Sequence, residues 1–356
     1  MVKTDIKYFL GANSCTGFVS AFCESYDPFD GWKAYIIKGG PGTGKSSFMK
    51  YVAKTADKKG IKVILCPCSS DPDSLDGIIL PDRKIIILDG TAPHIVEPVF
   101  PGACEEILNF GQFWKKEAFE GKTAEIIDVT LKNKLLHKAA ARYLSACGQL
   151  LADNFKTAAA CTDYKKAEGF AANLCKNNIP AKKGKPKEWI RFINGTTPKG
   201  IISYAETLTK QNSNLIVISD KYGSASTAIM EKIREYALLN GYEIETIKNA
   251  FLPELITDHI IIPELSLAFA TENEYTRFET PVRRIHSRRF VNSSLLHNSR
   301  ERLKFNSKAA AALLSGACDT LKKAKAVHDD LEKYYIGAMD FSKLNTFAEE
   351  FAEKIL

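Results

Sequence analysis

The chain has no stretch approaching the ~20 apolar residues of a membrane span, and its first residues, "MVKTDIKYFLGANSC", hold no apolar run long enough for a secretory signal. Both absences predict a cytoplasmic protein. It also lacks a cysteine framework: nine cysteines, an odd number, are scattered over 356 residues, so they read as reduced thiols rather than a disulfide scaffold. Cys66-x-Cys68 has no second pair to complete a zinc site, and residues one apart on a strand face opposite ways. Neither charge nor apolar content is short, at 26% and 45%, which excludes extended disorder and at this length predicts two folded domains. The net charge is +7, with basic runs at "KKGKPKEW" (182–189) and "RRIHSRR" (283–289). The first reads as a solvated linker, and a pI near 8.8 leaves nucleic acid open as a partner without pointing to it.

What the chain does have is one pattern written twice. "FLGANSCTGFVSAF" (9–22) pairs with "FINGTTPKGIISYA" (192–205), and "YIIKGGPGTGKSSFMKYV" with "IVISDKYGSASTAIMEKI". Gly60 then meets Gly241, "DGIILP" (76–81) meets "DHIIIP" (258–263), and "HKAAARYLSA" (137–146) resembles "SKAAAALLSG" (307–316). Each copy reads as an apolar strand (35–38; 215–219), a turn, a helix of about fifteen residues closed by glycine, and two further strands. Long Ala- and Leu-rich helices follow at about 131–176 and 299–335. The expected fold is α/β: two tandem P-loop NTPase-like units, each a mostly parallel sheet with flanking helices and a helical extension. The expected boundaries are 1–178 for the first unit, 179–189 for a linker and 190–356 for the second.

Between the first strand and helix lies "KGGPGTGKSSFMK", with Gly-x-x-x-x-Gly-Lys-Ser running from Gly39 to Ser46. Glycines in such a loop let successive backbone N–H groups curl around an anion at a helix N-terminus. Gly39, Gly40, Pro41, Gly42, Thr43, Gly44, Lys45, Ser46 and Ser47 are therefore the expected nucleotide-binding residues. Lys45 reaches the β- and γ-phosphates and Ser46 ligates Mg²⁺. Four apolar residues, Ile85 to Leu88, carry Asp89 to a strand end, where its carboxylate holds the magnesium hydration shell. No glutamate follows Asp89, so His94 and Glu97 are candidates for orienting water or sensing the γ-phosphate. In "CSSDPDSLDG" (68–77), Asp71 and Asp73 either polarise a nucleophile or cap a turn. The expected catalytic set is Lys45, Asp89, Asp71 and His94, with ATP and Mg²⁺ as cofactors.

The second copy has lost the chemical residues and kept the structural ones. Gly44 becomes Ala225, Lys45 becomes Ser226 and Asp89 becomes Thr271, while Gly60/Gly241, Asp76/Asp258 and Pro81/Pro263 persist. Losing the lysine alone weakens nucleotide binding about ten- to a hundredfold, since a charge-assisted contact contributes roughly 1.5–3 kcal/mol. The second unit thus reads as degenerate, kept for shape beside the first.

"YIIKGGPGTGKSSFMK", "CSSDPDSLDG" and "ILDGTAPHIVEPVFPGACEEILNFGQFW" together resemble a poorly characterised bacterial family of duplicated P-loop proteins described as ATPases. The resemblance spans nearly the whole chain and implies a P-loop NTPase fold and ATP binding, with no known substrate. In that family the second half often keeps a glycine-rich lysine loop as well; here it does not.

Three functions remain open at this level. The first is an ATP hydrolase whose turnover drives a conformational change between the halves. The second is a kinase acting on a small molecule or nucleotide, with Asp71 or Asp73 near the acceptor. The third is a nucleotide-dependent binding module that turns over slowly or not at all. In register, "TPVRRIHSRR" (280–289) falls over "EPVFPGACEE" (97–106) and presents Arg283, Arg284, Arg288 and Arg289 either as a solvated surface or as an arginine finger for the first unit.

Overall fold

A computed structural model of the chain describes residues 6–92, 95–279 and 282–356. The first half runs β1 (Gly11–Ser14), β2 (Gly17–Ser20), β3 (Lys33–Lys38), α1 (Lys45–Lys58), β4 (Ile64–Pro67), β5 (Leu75–Leu80), β6 (Ile85–Asp89), β7 (Glu105–Asn109), α2 (Thr123–Ala159) and α3 (Tyr164–Asn178). The second half opens with β8 (Lys187–Arg191), β9 (Asn194–Thr197), β10 (Gly200–Ser203), α4 (Glu206–Gln211), β11 (Asn214–Ser219) and α5 (Ser224–Leu239). It continues with β12 (Glu243–Lys248), β13 (Thr257–Ile262), β14 (Leu267–Glu272), β15 (Arg283–His286), α6 (Ser293–Asn298), α7 (Arg300–Ile336) and α8 (Phe341–Ile355).

The architecture is α/β, and each sheet is mostly parallel with a single reversed strand, β5 in the first and β13 in the second. The first has the order β4-β5-β6-β3-β7, with β3 parallel to β6 and β7 while β5 runs antiparallel to β4 and β6. In the second, β15-β11-β14-β13-β12-β8, the strand β13 is antiparallel to both of its neighbours. The cause is local. Residues 81–84 and 263–266 are tight turns, too short for the crossover that a parallel neighbour needs. Each starts at a proline and ends on a left-handed non-glycine residue, Lys84 (φ 51°) or Ser266 (φ 46°), whose N–H returns to the proline carbonyl.

Strand alternation sorts the molecule into four layers. Tyr35, Ile37, Ile85 and Ile87 join Phe48, Met49 and Val52 of α1 and Leu344, Ala348 and Phe351 of α8. Ala34, Ile36, Ile86 and Leu88, one residue out of phase, meet Val217, Ile247, Ile261 and Ala268 of the second sheet. The far face of that sheet, with Ile216, Ile218 and Phe269, packs against Ala171 and Leu174 of α3 and Ile229 and Ile233 of α5. The order is therefore helices, sheet, sheet, helices, and the core between the sheets belongs to both halves. Polar pairs cross it too: the Tyr8 hydroxyl donates to Glu245 at 2.6 Å, and Arg191 donates to the Ser25 hydroxyl at 2.8 Å.

The helical extensions exchange partners. The helix expected over 131–176 begins at Thr123 and breaks at 160–163, where the Asp163 carboxylate accepts the Lys166 N–H and starts α3. Helices α2 and α7 lie antiparallel, tied by Asn133 to the Ala324 carbonyl, by Asn306 to Asn154 and by Arg302 to Asp153. The buried positions of α7 (Leu303, Asn306, Ala310, Leu314, Ala317, Leu321, Ala324, Leu331) recur at three and four residues, the spacing of a coiled-coil seam. At 1.5 Å per residue each 37-residue helix spans about 55 Å, enough to cross from one half to the other. So α3 of the first half lands on the second sheet, and α8 of the second half lands on the first.

The segment expected to be a linker, 179–189, runs into β8, which pairs in parallel with β12. Its basic residues are partly neutralised: Lys182 meets Glu264, while Lys187 lies 2.8 Å from Asp30 and over the Trp189 ring at 4.4 Å. No helix among the described residues is long and apolar enough to cross a membrane.

Candidate functional site

The Gly39–Ser46 loop leaves the C-terminal end of β3 and opens α1. Gly42 (φ 65°) and Gly44 (φ 82°) sit in the left-handed region, where a side chain is strained, and they turn the loop so that α1 starts at Lys45. The buried Thr43 hydroxyl donates to the Gly40 carbonyl at 2.8 Å and braces the curl. Gly39 faces Thr43 from the other side, and a Cβ there would lie 2.9 Å from the hydroxyl oxygen. Lys45 folds back beneath the loop. Its ammonium group donates to the Gly40 carbonyl at 2.8 Å and the Gly39 carbonyl at 3.4 Å, and lies 3.6 Å from Asp89 Oδ2.

Asp89 ends β6, beside β3, so parallel pairing brings its carboxylate to the loop. Its Oδ1 accepts from the Thr91 N–H (2.9 Å) and hydroxyl (2.6 Å), leaving Oδ2 toward Lys45. The Ser46 hydroxyl oxygen accepts the Leu75 N–H at 3.0 Å, which joins the loop to the start of β5. Pro41 is half-buried and Ser47 exposed at the loop's rim.

Among the other expected residues, Asp71 accepts from the Ser74 hydroxyl at 2.9 Å, as a turn cap does, and also lies 3.6 Å from Lys325 of α7. Asp73 is exposed and paired with Lys199 at 2.6 Å, which holds its carboxyl below the usual range. Glu97 pairs with Lys38 at 2.6 Å. Lys38, which the sequence reading passed over, also donates to the Gly90 and Val96 carbonyls and ties the end of β3 to the segment after β6. His94 lies outside the described residues. Burial pushes the Cys66 thiol up to about 12 and the Cys68 thiol up as well. Among the described residues no cluster of three His, Cys, Asp or Glu side chains gathers as a metal site would.

The second half contributes a cover that the repeat pattern did not reveal. A Cβ added to Gly40 would lie 2.4 Å from the Tyr335 ring, one added to Gly42 2.9 Å from Ile336 and 3.0 Å from the Glu332 backbone carbonyl, and one added to Gly44 2.8 Å from Leu344. The glycines thus serve close approach as well as turning. The Glu332 carboxyl is held below its usual range by His328, 3.5 Å away, then by Lys325 and by the Gly42 N–H. Tyr335 packs on Trp114 at 5.9 Å and Phe119 at 5.4 Å, enclosing the loop's flank in aromatic rings.

At the matching place in the second sheet the backbone differs. Four residues, 220–223, separate β11 from α5, against six between β3 and α1, and α5 is two residues longer than α1. Asp220 fills the shortened turn, its Oδ2 accepting the N–H groups of Ala225 and Ser226, each at 2.9 Å, and its Oδ1 that of Tyr222 at 3.3 Å. The basic segment takes a different register from the one expected. Strand β15 pairs with β11 as β7 does with β3, and Ile285 faces Ile218 where Leu108 faces Ile37. Arg283 therefore corresponds to Glu106, not Phe100. Arg284 pairs with Glu272 at 3.2 Å and Arg289 lies over the Phe170 ring at 5.1 Å, both on the second sheet and its helices. The chain matches no protein-family model, no curated protein and no solved structure.

Proposed function

We propose that the chain is a P-loop NTPase that binds ATP with Mg²⁺ through residues 39–47 and hydrolyses it, with the second half a degenerate repeat of the first. One observation carries the reading: a lysine ammonium held between the Gly40 carbonyl and the Asp89 carboxylate beneath a glycine turn at a helix N-terminus. A cation beside the N–H groups of a helix start is the combination by which phosphate oxygens are recognised. Ser46 and Asp89 fit magnesium as hard oxygen donors. When bound, the ion would neutralise charge on the phosphate oxygens. Lys45 would exchange its carbonyl partners for phosphate, and the helices covering the loop would exclude water. Because Tyr335 and Ile336 of α7 and Leu344 of α8 lie against the loop glycines, a change at the loop would be felt by the second half.

Incubating purified protein with ATP and Mg²⁺, with and without a metabolite pool, and following phosphate and ADP tests the reading. Phosphate release that needs no metabolite and disappears in Lys45→Ala is the expected result. ADP formed only with a metabolite would replace hydrolysis by phosphotransfer, and a chain that binds no nucleotide would overturn the proposal.

A further inference from the structure

Both sheets present a carboxylate to the turn after their first parallel strand, and the sources of those carboxylates differ. In the second half it is Asp220, the first residue of the turn it fills, which accepts the N–H groups of Ala225 and Ser226. In the first half it is Glu332, about 290 residues further along the chain, facing the Gly42 N–H from the last turn of α7. In each case a carboxylate lies toward a turn amide, within the turn in one half and from a distant helix in the other.

We propose that Glu332, with Tyr335 and Ile336, latches the Gly39–Ser46 loop shut, and that a nucleotide enters by displacing this corner of α7 and α8. The inference rests on the nucleotide-binding reading above and adds its regulation. Three contacts define the closed state. Tyr335 lies against Gly40, Glu332 and Ile336 against Gly42, and Phe341 and Leu344 against Gly44. A phosphate and a carboxylate cannot share the Gly42 amide, since each is an anion seeking the same N–H. The groups that hold Glu332, namely His328, Lys325 and that amide, are the ones a phosphate oxygen would also favour. Lys325 reinforces the closure by bridging α7 to Asp71 on the opposite rim. Ile336 is about half exposed, and the turn at 337–340 is tied to the next segment by the Lys115 N–H to the Ala338 carbonyl and the Asp340 N–H to the Phe113 carbonyl, so opening the latch carries residues 113–115 with it. Asp220, part of the turn it fills, cannot leave in this way.

The test uses the full chain and Mg·ATP, with calorimetry for affinity and amide hydrogen exchange over residues 39–46 without nucleotide. Glu332→Ala should speed exchange in the loop and tighten ATP binding about tenfold or more. Glu332→Gln, which preserves packing, should shift both in the same direction by less. In the wild type, ATP should change the fluorescence of Trp114, which rests on Tyr335, and Trp114→Phe should remove that change. Binding by the wild type with equal or weaker affinity in both Glu332 variants would overturn the latch and leave the nucleotide site standing. Binding only after Glu332 is replaced would support both. No binding by any of the three would overturn the nucleotide reading, and the latch with it.

Discussion

The loop at 39–46 and the turn at 220–223 leave corresponding strands of the two sheets, yet one is a curl of six residues around a lysine and the other a four-residue turn closed by its own aspartate. Comparing them shows two ways of closing the step from a strand into a helix. Removing a lysine would leave helix-start N–H groups still seeking an acceptor, each a cost if buried. Asp220 supplies that acceptor, and two residues of loop are absorbed into the helix. The second turn is thus closed by its own side chain, whereas the first is closed around a lysine.

Truncating Lys45 and the residue at its matching position, Ser226, separates the two turns most sharply. Lys45→Ala should weaken Mg·ATP binding about ten- to a hundredfold while Ser226→Ala leaves it unchanged, with one site per chain by calorimetry. Two sites of similar affinity would break the contrast.

Stability provides the mirror image. Asp220→Ala strands the Ala225 and Ser226 amides and should lower unfolding free energy by about 1–3 kcal/mol in a denaturant titration. Asp89→Asn should change that titration far less and act on turnover instead, because Asp89 bonds mainly to its neighbour Thr91. If the two variants were equally destabilised, the division of labour would not hold.

A smaller contrast tests whether retained glycines carry equal weight. Gly60 (φ 74°) and Gly241 (φ 69°) both end a helix in the left-handed region, so alanine costs about 1–2 kcal/mol at either. Around Gly60 there is open space, whereas a Cβ on Gly241 would lie 2.4 Å from the Gly184 backbone. Gly241→Ala should therefore be the more destabilising in thermal melts, and equal losses would show that the linker yields freely.

The pH dependence of the second half refines the comparison further. Burial pushes the Asp258 carboxyl up to about 7, so its folded form favours the proton; that contribution is full below about 4 and lost as pH rises toward 7. Burial pushes the neighbouring His259 down to about 3, so its contribution is full above about 6.5 and lost as pH falls. Between about 4 and 6.5 the two slopes oppose. Asp258→Asn should leave the histidine slope exposed, and stability should then fall with decreasing pH by up to about 1.4 kcal/mol per unit more than in the wild type. Parallel pH profiles for the two proteins would remove Asp258 from the account.

Much of the first sheet was legible because its signals are local. The run Ile85–Leu88 reads as a strand buried on both faces, Gly60 as a helix terminus, and the spacing from Gly39 to Ser46 as a loop opening a helix, all from neighbours within a few residues. Asp89 and Lys45 come within 3.6 Å because parallel pairing of β3 and β6 sets their strand ends side by side. Strand β5, marked in the sequence only as a segment shared by the two copies, and the register of Arg283 were not legible, since a short apolar run does not reveal its pairing and the intervening loops differ in length. The aspartate in "SDKYGS" was visible as a residue, but its partners lie one turn into α5 and emerge only when the turn closes.

Sequence alone determined the strand, glycine-rich loop and helix around Lys45, the strand that ends at Asp89, and the absence of that lysine from the second half, because each depends on periodicity and spacing within one segment. Tertiary structure decided what covers the loop. Glu332 and Tyr335 reach Gly42 and Gly40 because α2 and α7 pack along about 55 Å and carry α8 onto the opposite sheet. No local pattern encodes that contact: it arises from where two long helices end once their seams are buried.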